Sequence, residues 1–173
     1  MPTDADAVVT VGVAGGRKLE VGPLRAEELD PLFSVFARIV EDLDGYPHAP
    51  PLSREAFLAT WTGPETTVVA GRLEGELVAA YYLKPNFVGR AAHIANAGYL
   101  VVAERRGGGL GRAIVADSIW RAPLLGYDAV QFNLVFASNP ARALYEELGW
   151  REVGRVPEAV DGEDAVIYWR KVP

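Results

Sequence analysis

The segment Leu100-Val101-Val102-Ala103-Glu104-Arg105-Arg106-Gly107-Gly108-Gly109-Leu110-Gly111-Arg112 constrains this chain more than any other. A hydrophobic run enters a glycine loop and leaves it at helical spacing, with Ile114, Val115, Ile119 and Ala122 on one stripe. A strand that passes through a tight turn into a helix is an α/β element. Glycine lets backbone N–H groups turn inward and approach an anion, and the helix start that follows adds its partial positive charge. The loop therefore reads as an anion cradle formed by Arg106, Gly107, Gly108, Gly109, Leu110, Gly111 and Arg112. It lacks the Lys-Ser/Thr ending of a Walker loop and the spacing of the dinucleotide fingerprint. Glycines would equally suit a bare strand-to-helix turn, so the loop by itself leaves both readings open.

The 173 residues suit one domain, 1–173, with the first residues to about Ala7 frayed. Val8, Val9, Val11 and Val13 with Leu19 and Val21 bracket Ala14-Gly15-Gly16 as a hairpin. A helical period runs from Leu24 to near Gly45, and Gly45-Tyr46-Pro47-His48-Ala49-Pro50-Pro51 follows as a stiffened loop suited to a lid. Ser53 stands at the N-cap of a short helix that Gly63-Pro64 ends. Strands are expected at Thr66–Leu73, Leu77–Leu83, His93–Val102, Ala129–Phe136, Trp150–Val156 and Ala165–Lys171. Helices are expected at Leu110–Ala122, interrupted by Pro123, and at Asn139–Leu148, capped by Asn139. This order implies a mixed α/β (α+β) sheet with helices on both faces.

Composition narrows the partners. There is no cysteine, which removes disulfides, thiolate nucleophiles and Cys-ligated zinc. Two histidines cannot complete a three-histidine metal site, so no metal is expected. A net charge of −6 disfavours nucleic acid and suits a small molecule. No apolar run approaches the roughly 18 residues of a membrane span, and Met1–Asp6 lacks a basic region, so a cytoplasmic, membrane-free protein is expected.

In this context Arg106-x-x-Gly109-x-Gly111 resembles the pyrophosphate motif of the GCN5-related N-acetyltransferases. Asn139-Pro140-Ala141-Arg142-Ala143-Leu144-Tyr145-Glu146-Glu147-Leu148-Gly149-Trp150 resembles a second signature of that superfamily, in the right order. The resemblance covers about Leu24 to Lys171 and implies the superfamily's fold, a mixed sheet whose fourth and fifth strands splay around the thioester arm of acetyl-CoA. Lys84-Pro85-Asn86-Phe87, His93–Val101, Ala122–Tyr127, Phe132–Phe136 and Val156-Pro157 are further similar to the fungal azetidine-2-carboxylate N-acetyltransferases. Those enzymes acetylate the ring nitrogen of proline analogues.

The implied co-substrate is acetyl-CoA and the implied partner a small amine; a homodimer is also compatible with the resemblance. Acetyl transfer needs a neutral amine, and one with a pKa near 10.4 is only about 0.04% neutral at pH 7. The resemblance places the oxyanion donors among backbone N–H groups of Leu100, Val101 and Val102, and puts Tyr145 near the thiol sulfur. It puts Asn96, Asn133 and Leu134 at the acceptor and Asn139 beside the cofactor arm. An asparagine is no base near neutral pH, but its carbonyl can accept from the amine and aim the lone pair. Structural readings stand beside these: Tyr145 as a packed aromatic, Asn96 and Asn133 as satisfied sheet amides, Asn139 as a cap. Alternation sets Asn133 opposite to Val130, Phe132, Leu134 and Phe136, and Tyr46 could close over the acceptor. Acetylation of another primary amine, amino acid or antibiotic, or non-catalytic acyl-CoA binding, would use the same loop.

Overall fold

The computed structural model describes residues 4–173. Its elements are β1 (Val9–Gly12), β2 (Lys18–Pro23), α1 (Leu29–Glu41), α2 (Arg54–Trp61), β3 (Thr67–Leu73), β4 (Glu76–Pro85), β5 (Ile94–Val101), α3 (Leu110–Leu124), β6 (Ala129–Phe136), α4 (Arg142–Glu147), β7 (Arg151–Val160) and β8 (Glu163–Lys171). The strands form one sheet in the order β1-β2-β3-β4-β5-β6-β8-β7. Only the β5–β6 pairing is parallel.

The unbroken apolar run of β4 reflects burial on both faces. Ala79, Tyr81 and Leu83 pack with Leu110, Ala113 and Ile114 of α3. Ala80 and Tyr82 pack with Leu32, Phe36, Ile39 and Val40 of α1 and Phe57 and Trp61 of α2. The stripe on α1 starts later than its periodicity predicts, because the Leu24 N–H is drawn into the sheet by the Val68 carbonyl at 3.0 Å. Ser53 does cap α2, its hydroxyl accepting from the Ala56 N–H at 3.0 Å. Pro123 lies inside the last turn of α3 rather than ending it.

Two further expectations need correction. The first described residues are tied to the body of the protein: Arg121, buried on α3, donates to the carbonyls of Ala5 and Ala7. Residues 1–3 lie outside the described part. Asn139 is not the N-cap of α4, which begins at Arg142; its Oδ1 accepts from the Ala141 N–H at 2.9 Å and closes the turn before the helix.

The sheet does splay, and the N-terminal strand moves the splay to β5 and β6. Their ladder holds only Ile94↔Ala129, Ala95↔Val130 and Asn96↔Gln131. Beyond it β6 shifts register against β8 between Phe132 and Val135, and such a bulge bends a strand away from its neighbour.

A buried ion pair fastens the opposite half of the sheet. Arg72, 1% exposed, donates to both carboxylate oxygens of Glu28, one of them at 2.6 Å. Burial raises the Glu28 pKa, but Arg72 and the Arg25 N–H outweigh it and hold the carboxyl below its ordinary 4.5. Glu28→Ala should therefore destabilise the fold by about 3–5 kcal/mol in urea melts at pH 7, since it strands the buried guanidinium. The lowered pKa makes the carboxylate's contribution full above pH 4.5 and lost as pH falls through the folded value, so wild type and variant should converge in acid.

Candidate active site

The gap between β5 and β6 opens into a cavity of about 440 Å³. Val102 donates its N–H to the Val78 carbonyl at 2.9 Å, and Leu100 pairs with Ala80. Alternation then turns the N–H and carbonyl of Tyr99 and Val101 toward the gap. The carbonyls agree: Tyr99 accepts from the Tyr46 hydroxyl at 2.9 Å and Val101 from Arg106 Nε at 3.4 Å. Of the three backbone donors named from the sequence, Val101 alone faces the gap.

The glycine loop closes one end. Gly107 and Gly109 adopt φ of +78° and +81°, and nothing lies within 4 Å of where their side chains would stand. The first helical bond of α3 runs from Ala113 to Gly109, so the N–H groups of Leu110, Gly111 and Arg112 have no carbonyl of their own helix, and no side chain caps them. These free donors and the open space before them fit a diphosphate. Arg106, Gly107, Gly109, Leu110 and Gly111 line the cavity, whereas Val102, Gly108 and Arg112 do not. Arg112 is turned to Glu147 at 2.5 Å, and Arg106 meets Asp44 of the loop after α1 at 2.5 Å.

The predicted asparagines gather in the cavity wall with Leu134, Tyr46 and Tyr145. Asn96 donates to the Gln131 carbonyl at 3.1 Å and accepts from the Tyr82 hydroxyl at 3.3 Å. Asn133 is exposed to the cleft and pairs with Asn86, donating at 2.6 Å and accepting at 3.1 Å, while Gln131 also donates to it at 2.9 Å. Simple alternation along β6 fails past the bulge, where Val135 is buried and Leu134 half-exposed. Asn139 sits at the cavity wall where its turn meets the gap.

Tyr145 both packs and lines the cavity. Its ring lies 4.8 Å from Phe132 and 6.1 Å from Trp150. The hydroxyls of Tyr46, Tyr99 and Tyr168 are hydrogen-bonded, but that of Tyr145 finds no partner among the described residues. Burial, with Tyr168 nearby, pushes its pKa up to about 12. Tyr46 is packed edge-on to Phe36 at 4.7 Å and lines the cavity.

Two site residues, Tyr82 and Asp44, escaped the sequence, whereas His48 stands on the loop already read as suited to a lid. Tyr82 lies over Gly98 so closely that a side chain there would meet its ring at 2.5 Å. The signal was hidden inside the apolar run of β4. His48 Nε2 lies 2.9 Å from the Thr60 hydroxyl, which itself donates to Ala56, so Nε2 carries the proton. Burial first, then Lys84, lowers the His48 pKa from 6.5 and keeps the ring neutral at pH 7. Asp44 is the one carboxylate among the cavity walls, and no sequence pattern pairs it with Arg106.

The model of the Acetyltransferase (GNAT) family matches residues 32–150, more than half of the chain. The chain belongs to this family. The family is one of acetyltransferases, and its acetyl donor is acetyl-CoA. A GCN5-related N-acetyltransferase from Kribbella flavida is similar at 30% identity and a TM-score of 0.82, covering 89% of this chain and 98% of that one. The structure of yncA from Salmonella typhimurium with its cofactor acetyl-CoA shares the fold at a TM-score of 0.79 and 13% identity, over 90% of this chain and 94% of that one. N-acetyltransferase aca1 of Schizosaccharomyces pombe is 35% identical over 101 residues, 58% of this chain. That match spans about half of aca1, 48% of its length. No helix among the described residues is long and apolar enough to cross a membrane.

Proposed function

We propose that this acetyltransferase moves the acetyl group of acetyl-CoA to the nitrogen of a small acceptor, with proline analogues or other cyclic imino acids as the acceptor class. The observation that carries the reading is the single cavity that joins the glycine loop to the amide cluster of Asn96 and Asn133 through the β5–β6 gap. The loop N–H groups would hold the diphosphate, and the Val101 N–H would donate to the thioester oxygen as it gains charge. The Asn96 amide oxygen, with one lone pair left beside the Tyr82 bond, would accept from the acceptor N–H and aim the amine's lone pair at the carbonyl carbon, and Asn133 would join it by giving up its bond from Asn86 or Gln131. The attack would be direct, the lack of cysteine removing one covalent route: the C–N bond forms, the C–S bond breaks, and the amine proton leaves to solvent.

The acceptor class rests on the blocks shared with the fungal enzymes and on the polarity of the cavity, where neutral amides outnumber charges. A polycationic acceptor would call for carboxylates, and the only one in the wall is engaged by Arg106. Screening azetidine-2-carboxylate, proline analogues and common primary amines for acetyl-CoA-dependent release of CoA tests the reading. Preference for the cyclic imino acids supports it; turnover of primary amines alone reassigns the acceptor, and coenzyme binding without any turnover leaves a sensor.

Tyr145 would donate to the departing thiolate. Because its pKa is about 12, the phenol stays protonated through the neutral range and acts by hydrogen bonding. Tyr145→Phe should lower kcat about tenfold, uniformly from pH 6 to 9, with acetyl-CoA affinity unchanged. A kcat within about twofold of wild type at every pH would leave Tyr145 a packing residue.

A further inference from the structure

The glycine loop is met by an element that lies outside the matched family residues 32–150. The turn between β1 and β2 docks on it, the Ala14 N–H donating to the Gly108 carbonyl at 3.1 Å. Arg17, at the end of that turn, donates from Nε to the Ala14 carbonyl at 3.2 Å, which anchors its side chain. One terminal guanidinium nitrogen then lies 3.0 Å from the position a Gly108 side chain would take. Gly108 is buried and has no left-handed φ to explain its glycine. Room for Arg17 explains it.

The lack of a carboxylate partner sets this guanidinium apart from its neighbours. Arg105 is paired with Glu76 at 3.2 Å, Arg106 with Asp44 at 2.5 Å and Arg112 with Glu147 at 2.5 Å. Arg17 has no carboxylate within ion-pair distance among the described residues. An anion reaching Arg106 or Arg112 must displace a carboxylate, so much of the gain cancels. At Arg17 the full charge and the terminal N–H groups stand available, in a chain whose net charge is −6. A planar guanidinium suits phosphate oxygens, to which it can donate two parallel N–H bonds.

We propose that Arg17 is a phosphate ligand for the coenzyme, delivered by the N-terminal hairpin to the outer side of the glycine loop. The proposal rests on the reading of that loop as the acetyl-CoA site. Acetyl-CoA offers two sources of the same chemistry, the diphosphate and the 3′-phosphate, both as oxyanions. Arg17 thus acts on coenzyme affinity and leaves the acceptor end of the cavity untouched.

Isothermal titration of wild type, Arg17→Ala, Arg17→Lys and the neighbouring control Lys18→Ala with acetyl-CoA and with its 3′-dephospho analogue tests this. Arg17→Ala should weaken acetyl-CoA binding about tenfold and flatten its salt dependence, with Arg17→Lys between it and wild type and Lys18→Ala near wild type. The KM for acetyl-CoA should rise in step, while kcat and the acceptor KM stay put. If the difference between wild type and Arg17→Ala vanishes with the dephospho analogue, the ligand is the 3′-phosphate; if it persists, the ligand is the diphosphate. A Kd for Arg17→Ala within twofold of wild type for both coenzymes overturns the proposal when Gly109→Glu still abolishes binding. Normal binding by Gly109→Glu as well would instead remove the loop as the coenzyme site. Thermal melts of each variant check that the hairpin remains docked.

Discussion

Gly109→Glu should weaken acetyl-CoA binding by about 100-fold or more. Three effects act together. Gly109 has φ of +81°, a left-handed conformation that costs an ordinary residue roughly 1–2 kcal/mol, so the loop would tend to rearrange and misdirect its N–H groups. The new side chain would also project into the open space in front of the free donors of α3, where the diphosphate would lie. A carboxylate there would add like-charge repulsion. Loss of two charge-assisted hydrogen bonds at about 1.5–3 kcal/mol each already exceeds a 100-fold change in Kd. Gly109→Ala separates these effects, since it keeps the backbone strain and leaves out the charge and most of the bulk; it should fall between wild type and Gly109→Glu. Titration with acetyl-CoA on variants shown to be folded by circular dichroism gives the answer, and unchanged affinity in Gly109→Glu would falsify the coenzyme assignment.

Asn133→Ala should do the opposite: lower turnover about 10–100-fold and leave acetyl-CoA affinity within about twofold. The side chain is exposed to the cleft and bonds to Asn86 and Gln131, not to the glycine loop, so coenzyme binding has no reason to change. Its removal takes away an amide of the cluster that would contact and orient the amine, and loss of positioning is felt chiefly in kcat. It also releases Asn86 and Gln131, which both donate to Asn133. Asn86→Ala therefore serves as the companion variant, expected to lower turnover less, because it disturbs Asn133 without deleting it. Steady-state kinetics with the best acceptor, alongside coenzyme titration, distinguishes the outcomes. Wild-type turnover in Asn133→Ala would move the acceptor site elsewhere.

Much of this architecture was legible from neighbouring residues. The Ser53 cap, the close succession of β3 and β4, and the passage from β5 through glycines into α3 each depend on a few consecutive residues, and each stands as expected. Three departures share one cause. The start of α1 shifted because Leu24 found a partner in β3, and the first residues became ordered because Arg121 lies beneath them. The alternation of β6 broke because its partner β8 imposes a bulge. In every case a distant segment outbid the local pattern.

The candidate site divides along the same line. Glycine positions, helix starts and asparagines could be picked out in order along the chain, because backbone freedom and hydrogen-bonding capacity belong to single residues and their immediate neighbours. Tertiary structure alone decided which N–H of β5 faces the gap, that Tyr82 rests on Gly98, that Asp44 holds Arg106, and that Arg17 reaches the loop from more than eighty residues away. Each of these depends on strand register or on contact between remote segments, and such contacts are set by how the whole sheet packs its two faces.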